Sequence, residues 1–195
     1  MSEWEVLQKY IPRVRSLTFH SEAPFYRNIL EALHNPPVTQ PPLPNLQRLH
    51  YGHFIPEDYP LLDIFFVPSL TDLTIELHPI SLPDISFISP IATSCPHLTS
   101  FCLFGYGLHE TISTIVSNVI MILPHLQKLR CDELNQAAIT YIAWHPSLTE
   151  LDISIPSGRR QYDFAQFPHP TLPRIPPFSQ INSFWNQFCP SDRHQ

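Results

Sequence analysis

The residues of this 195-residue chain that could do chemistry are few and scattered. His50-Tyr-Gly-His53 has the spacing of a metal-binding pair, but protein zinc sites take three or four side-chain ligands and no third stands nearby. Cys102 would be a nucleophile only beside a group that lowers its thiol pKa, and no such neighbour is evident in the sequence. Gly105-Tyr-Gly107 has the outline of a nucleotide loop, yet Glu110 occupies the third glycine's place, so a turn is expected. Pro170-Thr-Leu-Pro173 and Pro173-Arg-Ile-Pro176 match PxxP, but in so proline-rich a chain they are expected to serve a cap or loop. There is no nucleophile elbow, phosphate loop or paired zinc motif. An enzyme would have to assemble dispersed residues such as His20, His50 and Asp72, so the reading is noncatalytic, with no cofactor and no metal.

His97 and His125 point to what organises the chain, because each follows a proline at the same place in a repeated frame. In Leu123-Pro124-His125-Leu126-Gln127-Lys128-Leu129-Arg130-Cys131, apolar residues stand before the proline and two, five and seven positions after it. The frame recurs at Pro12 with Val14, Leu17 and Phe19, at Pro44 with Leu46, Leu49 and Tyr51, and at Pro68 with Leu70, Leu73 and Ile75. It returns at Pro96 with Leu98, Phe101 and Leu103, and at Pro146 with Leu148, Leu151 and Ile153. The intervals of 32, 24, 28, 28 and 22 residues lie near the ~20–29-residue period of leucine-rich repeats.

Composition excludes several classes. With 14% charged and 43% hydrophobic residues the chain is too apolar to be disordered despite 23 prolines. A net charge of −6 attracts neither nucleic acid nor anionic lipid, and the longest apolar run, Val119 to Leu123, is far below the ~20 residues of a membrane span. No basic leader precedes an apolar core, no Asn-X-Ser/Thr acceptor occurs, and the four cysteines form no paired framework, so a cytoplasmic or nuclear location is expected.

The elements between the prolines follow from periodicity. A leading helix is expected from Ser2-Glu3-Trp4-Glu5 to Ile11, then a strand over 13–20 and a helix over 23–34. A strand over 46–51 should run into a short helix over 56–66, and a strand over 70–77 into a helix over 83–94 that Pro90 splits in two. Ile112, Ile115, Val116, Val119 and Ile120 mark the buried face of a helix over 110–122. Asp132 is placed as the cap of a helix over 133–144, with Leu134, Ala137, Ala138, Tyr141 and Ile142 inward. Each proline should end a helix and sit where the next strand starts. Strand–helix units cannot bury their apolar faces alone, so stacking predicts an α/β solenoid with a parallel concave sheet and convex helices over residues 1–155. Residues 156–195, seven of them proline, should form a cap with Phe178, Ile181, Trp185 and Phe188 inward, or a partly disordered tail.

Arg13-Val-Arg-Ser-Leu-Thr-Phe19, Leu43-Pro-Asn-Leu-Gln-Arg-Leu49, Cys95-Pro-His-Leu98 and His145-Pro-Ser-Leu-Thr-Glu-Leu151 resemble the repeats of F-box proteins with leucine-rich repeats, especially the divergent ones of mushroom-forming fungi. The resemblance covers roughly residues 4–155 on the repeat pattern. It implies a protein-binding surface that, in that family, selects substrates for a ubiquitin ligase. The F-box that docks on the cullin adaptor has no counterpart in the sequence, so the purified chain is expected not to bind that adaptor; a truncated, nonfunctional gene product is the other outcome. The Asn ladder of common leucine-rich repeats is also replaced, by Glu22, Phe54, His78, Tyr106, Leu134 and Pro156, so irregular loops are expected.

If positions two, five and seven face the core, positions four, six and eight project from the open sheet, the surface solenoids commonly use. These rows read Arg48, His50, Gly52; Asp72, Thr74, Glu76; Ser100, Cys102, Phe104; Lys128, Arg130, Asp132; and Glu150, Asp152, Ser154. They are the candidate partner-binding residues, with Phe104 as an apolar anchor and acidic rows on both sides of a mainly basic one. The expected partner is a protein of alternating charge, bound by a monomer. A pull-down with the cullin adaptor tests the F-box reading: the purified chain should not retain it.

Overall fold

Each repeat proline opens a turn, and the strand begins only after it. The amide at position two donates to the carbonyl of the residue before the proline: Leu46 to Leu43 at 3.2 Å, Leu70 to Val67 at 3.0 Å, Leu98 to Cys95 at 3.1 Å and Leu148 to His145 at 3.3 Å. Val14 does the same to Ile11 at 3.2 Å, closing the 3-10 helix Ile11–Arg13. The proline therefore holds the second place of a four-residue turn, where its fixed φ is favoured and its missing N–H costs nothing. This corrects the expectation that it sits at the start of the strand, which begins at position four.

The chain divides into two compact units, Met1–Arg160 and Gln161–Gln195. In the computed structural model the described residues are 9–20, 30–31, 33–34, 43–52, 56–77, 85–105 and 110–153, all in the first unit. Six strands, β1 (Ser16–His20), β2 (Arg48–Gly52), β3 (Asp72–Glu76), β4 (Ser100–Phe104), β5 (Lys128–Cys131) and β6 (Glu150–Ile153), form one sheet in sequence order. Every neighbouring pair is parallel, and position four faces position four throughout, from Ser16 opposite Arg48 to Lys128 opposite Glu150. The fold is α/β with an all-parallel sheet.

Position three sets that register. Its carbonyl accepts two amides from the next repeat: Arg15 from Gln47 and Arg48, Gln47 from Thr71 and Asp72, Thr71 from Thr99 and Ser100, Thr99 from Gln127 and Lys128, and Gln127 from Thr149 and Glu150, all at 2.7–3.0 Å. Where position three is threonine, the hydroxyl donates to the same carbonyl: Thr71 to Gln47 at 3.1 Å, Thr99 to Thr71 at 3.0 Å and Thr149 to Gln127 at 3.1 Å. Position one adds rungs. Asn45 Nδ2 donates to the Pro12 carbonyl at 2.9 Å, Ser69 Oγ lies 2.9 Å from that of Pro44, and His97 stacks on His125 with centroids 6.4 Å apart.

The connecting segments differ along the chain. After β2 comes a 3-10 helix, Pro56–Phe65, and after β3 a 3-10 turn, Ile85–Ile88, is broken from a short α-helix, Ile91–Ser94, by Ser89-Pro90. The later connections are α-helices, Glu110–Ile120 and Gln136–Ala143. Of the helix expected over 23–34, residues 30, 31, 33 and 34 are helical, with Leu30 and Leu33 buried and Glu31 and His34 exposed; residues 23–29 and 32, the leading helix before Lys9, the boundary at 155 and the capping segment lie outside the described residues.

Aromatic rings fill the first part of the core, where the connections are short of a full helical stripe. Phe65 packs on Phe19 (centroids 5.6 Å), Phe19 on Tyr51 (5.9 Å), Tyr51 on Tyr59 (6.2 Å) and Tyr59 stacks on Phe87 (5.3 Å). The later repeats are aliphatic, with Leu103, Val116, Leu123, Leu126, Leu134 and Ile139 buried. Ser117, buried in the Glu110–Ile120 helix, accepts the Asn135 amide at 2.9 Å and ties the two α-helices together.

Several expectations are corrected. Asn135, not Asp132, caps the last helix, accepting the Ala138 amide at 2.9 Å, because the Asp132 carboxylate is engaged by the Gly105 N–H at 2.7 Å. That later start leaves Ala137 exposed and Tyr141 half-buried and turns Ile139 inward; Ile115 is half-buried too. Val14, Leu17, Leu148, Leu151 and Ile153 are half-buried, since among the described residues β1 and β6 each have a neighbouring strand on one side only. Among the described residues no helix is long and apolar enough to cross a membrane.

Two substitutions probe this packing by urea unfolding. Leu126→Ala empties a site that is 1% exposed and should cost ~2–5 kcal/mol. Gly105 has φ +93° and its Cβ position lies against the Leu77 carbonyl oxygen, so Gly105→Ala should cost at least ~1–3 kcal/mol from backbone strain.

Candidate functional site on the open sheet face

Alternation along six in-register strands puts one side chain in two on the face opposite the buried core. Positions two, five and seven are buried in β2 to β5, and positions four, six and eight carry the exposure. Arg48, Lys128, Arg130 and Glu150 are exposed, while His50, Asp72, Thr74, Glu76, Ser100, Cys102, Phe104, Asp132 and Asp152 are half-buried. Gly52 is buried. Ser154 lies outside the described residues.

Parallel register brings equivalent side chains into ladders about 4.8 Å apart, so the charge chosen in one repeat meets the next directly. Lys128 Nζ pairs with Glu150 Oε1 at 2.6 Å and Arg130 Nε with Asp152 Oδ2 at 3.1 Å. Both pairs are between exposed or half-exposed groups and contribute little to stability, roughly 0.2–1 kcal/mol each. Their larger effect is on the charge that the face presents. The basic row expected to await a partner's acids is met by the acidic row of β6.

A second, diagonal pattern joins position six of one strand to position eight of a neighbour. Arg130 lays its guanidinium over the Phe104 ring, Cζ 5.2 Å from the centroid, and His50 Nε2 lies 3.3 Å from Glu76 Oε1. Phe104 does not turn under the edge; it stays half-exposed with Arg130 above it. Arg130 is thus held between an aromatic face and a carboxylate. Asp132 is engaged by the Gly105 amide, which ties the ends of β4 and β5.

Cys102 sits between Thr74 and Arg130 in the ladder. Desolvation, first, pushes its thiol up to about 12; Arg130 pulls the other way, and Glu76, Asp152 and Asp72 push further up. Burial alone does the same to Cys95. Burial therefore favours the protonated thiol of Cys102 at neutral pH.

Of the dispersed residues named as an alternative catalytic set, two are described on this face. His50 and Asp72 stand on adjacent strands two positions apart in register, and the His20 side chain lies outside the described residues. His53, Tyr106 and Gly107 lie outside them also. Among the described residues no three His, Cys, Asp or Glu side chains are grouped to hold a metal ion. Gly105, the first glycine of the loop-like motif, forms the tight turn after β4. In comparisons with known proteins, no family model, no curated protein and no solved structure matches the chain.

Sequence reasoning missed two exposed apolar residues, Ile122 (60% exposed) and Trp144 (51%). The periodicity places both at helix ends, but the helices stop at Ile120 and Ala143. Their equivalence was legible: each stands two residues before a repeat proline, as does Tyr10.

The raised thiols make a pH prediction. Folded Cys95 and Cys102 keep their protons to about 12, whereas the unfolded chain loses them near 9.0. Over that window the unfolded state binds fewer protons, so stability is intact below pH 9 and falls as pH rises toward 12. Urea midpoints at pH 8 and pH 10.5 should show the fall. Iodoacetamide should label Cys102 in the native chain at pH 7.5 on the order of 100 to 1,000 times more slowly than in denaturant.

Proposed function

We propose that the chain is a noncatalytic protein-interaction module, a leucine-rich-repeat-like solenoid of the F-box kind, that binds a protein partner on the open face of its sheet. The observation that carries this reading is Arg130, fixed on β5 between Asp152 of β6 and Phe104 of β4. Arginine and aromatic side chains dominate interface energetics, and one already held in place loses less entropy on binding. The proline-headed frame and the uniform parallel register support a stacked-repeat architecture in which each repeat contributes one row. In that reading the repeats serve to choose a partner, as the substrate-binding repeats of a ubiquitin-ligase receptor do. The thiols of Cys95 and Cys102, neither in a disulfide, fit a reducing location in the cytosol or nucleus.

The pairing of Lys128 and Arg130 with β6 alters the complement. A partner of alternating charge would have to displace Glu150 and Asp152, so the favoured partner packs an apolar or aromatic group on Phe104 and offers an acceptor to the outer guanidinium nitrogens of Arg130.

Affinity purification with variants tests the reading. A partner captured by the wild-type chain should be lost, by tenfold or more in affinity, on Phe104→Ala or Arg130→Ala, since hot-spot truncations cost roughly 2 kcal/mol or more. Thr114→Lys and Thr140→Lys, on exposed helix positions, should retain it. Binding that survives the sheet variants and is lost only with the helix variants would sink the proposal.

A further inference from the structure

Each strand from β1 to β5 gives its outer edge to the following repeat, and β6, last in the order, has no successor among the described residues. The carbonyl at position three accepts two amides in each of the first five repeats, from Arg15 to Gln127. Thr149 holds that position in the sixth repeat, and among the described residues its carbonyl accepts none. The inward row is unfinished as well. Leu148, Leu151 and Ile153 are half-buried, whereas Leu126, Leu129 and Cys131 one repeat earlier are 1–2% exposed.

The outward row sets the charge of what fits. Glu150 and Asp152 are both carboxylates, paired with Lys128 and Arg130 on the β5 side, and their side chains are still 62% and 43% exposed. A carboxylate has lone pairs for more than one donor, so each can accept from the other side too.

We infer that this edge binds an extended segment of a partner protein, laid parallel to β6 as a seventh strand, with Lys or Arg facing Glu150 and Asp152 and apolar residues between them facing the core. An open row of strand N–H and C=O groups is matched by another strand. The parallel sense follows from the position-three carbonyl, which takes successive amides from a parallel neighbour in all five pairs. β5 shows the chemistry that fits: Gln127-Lys128-Leu129-Arg130-Cys131 lies along the inner side of β6 with both cations on these carboxylates. A second copy does not offer it. Its β6 brings carboxylates against carboxylates, and its β1 presents Ser16 and Thr18. The frame's continuation at Pro170 puts Pro173 at position three, and proline has no N–H for the Thr149 carbonyl. The edge does not involve Phe104, so the inference stands whether or not the open face binds.

Fluorescence anisotropy of a labelled peptide of residues 124–131 bearing Cys131→Val, titrated with the full chain, tests this. Saturable binding with a Kd below about 1 mM is expected. N-methylation of the peptide at Gln127 and Lys128, whose amides serve the position-three carbonyl, should abolish it, because the donors are gone. Glu150→Gln combined with Asp152→Asn in the chain should weaken it about threefold or more, as expected for two surface ion pairs. Phe104→Ala should leave it unchanged. The absence of saturable binding would overturn the inference, as when the chain's own residues or a second copy hold the edge. Equal binding of the N-methylated peptide, which is charge attraction alone, would overturn it too, as would binding indifferent to the loss of both carboxylates.

Discussion

The rest of the structure hangs on the carbonyl at position three of each repeat. It receives two amides from the following repeat, and the threonine hydroxyl as well where that residue is available, so each repeat is pinned to the next before its strand begins. A parallel strand slipped by one residue would turn its whole buried row to solvent, and this fixed bond at the strand's start prevents it. The proline turn immediately before places that residue: proline sets the backbone, the amide of position two closes the turn, and position three emerges aimed at its neighbour.

Because the register is uniform, side chains on the open face form ladders, and each repeat's surface is read against the next. That is why Lys128 and Arg130 meet Glu150 and Asp152 instead of standing free, and why Cys102 feels carboxylates from two other strands, β3 and β6. The net result is a face whose charges are largely internally paired and whose fixed feature is an arginine lying on a phenylalanine. Such a face exerts little long-range attraction, since paired surface charges are weak beyond the Debye length.

The two halves of the core reach closure by different means. The early repeats have 3-10 connections with few residues per turn to present a continuous stripe, and bulky rings from Phe19 to Phe87 bridge the space. The later repeats use α-helices whose apolar stripe suits branched aliphatic side chains, with Ser117 and Asn135 linking one helix to the next. His145 shows how a polar residue fits an apolar position of the frame. Its Nε2 lies 3.2 Å from the carbonyl of Leu123, the residue it is equivalent to one repeat earlier.

The sequence by itself determined the strand faces, their order and the split at Pro90, because alternation, spacing and proline chemistry are local properties that survive without knowledge of neighbours. It also named the outward residues Arg130, Phe104, Asp152 and Glu150, since the period of two assigns a face to each. Only the tertiary structure decided which of those residues meet. Whether Lys128 pairs with a partner or with Glu150 depends on inter-strand register, and whether Asp132 caps a helix or holds Gly105 depends on a residue 27 positions away. Helix ends were misjudged for the same reason: Ile122 and Trp144 continue the apolar pattern, but the chain must leave the helix before them to reach the next proline turn, and so they are left on the surface.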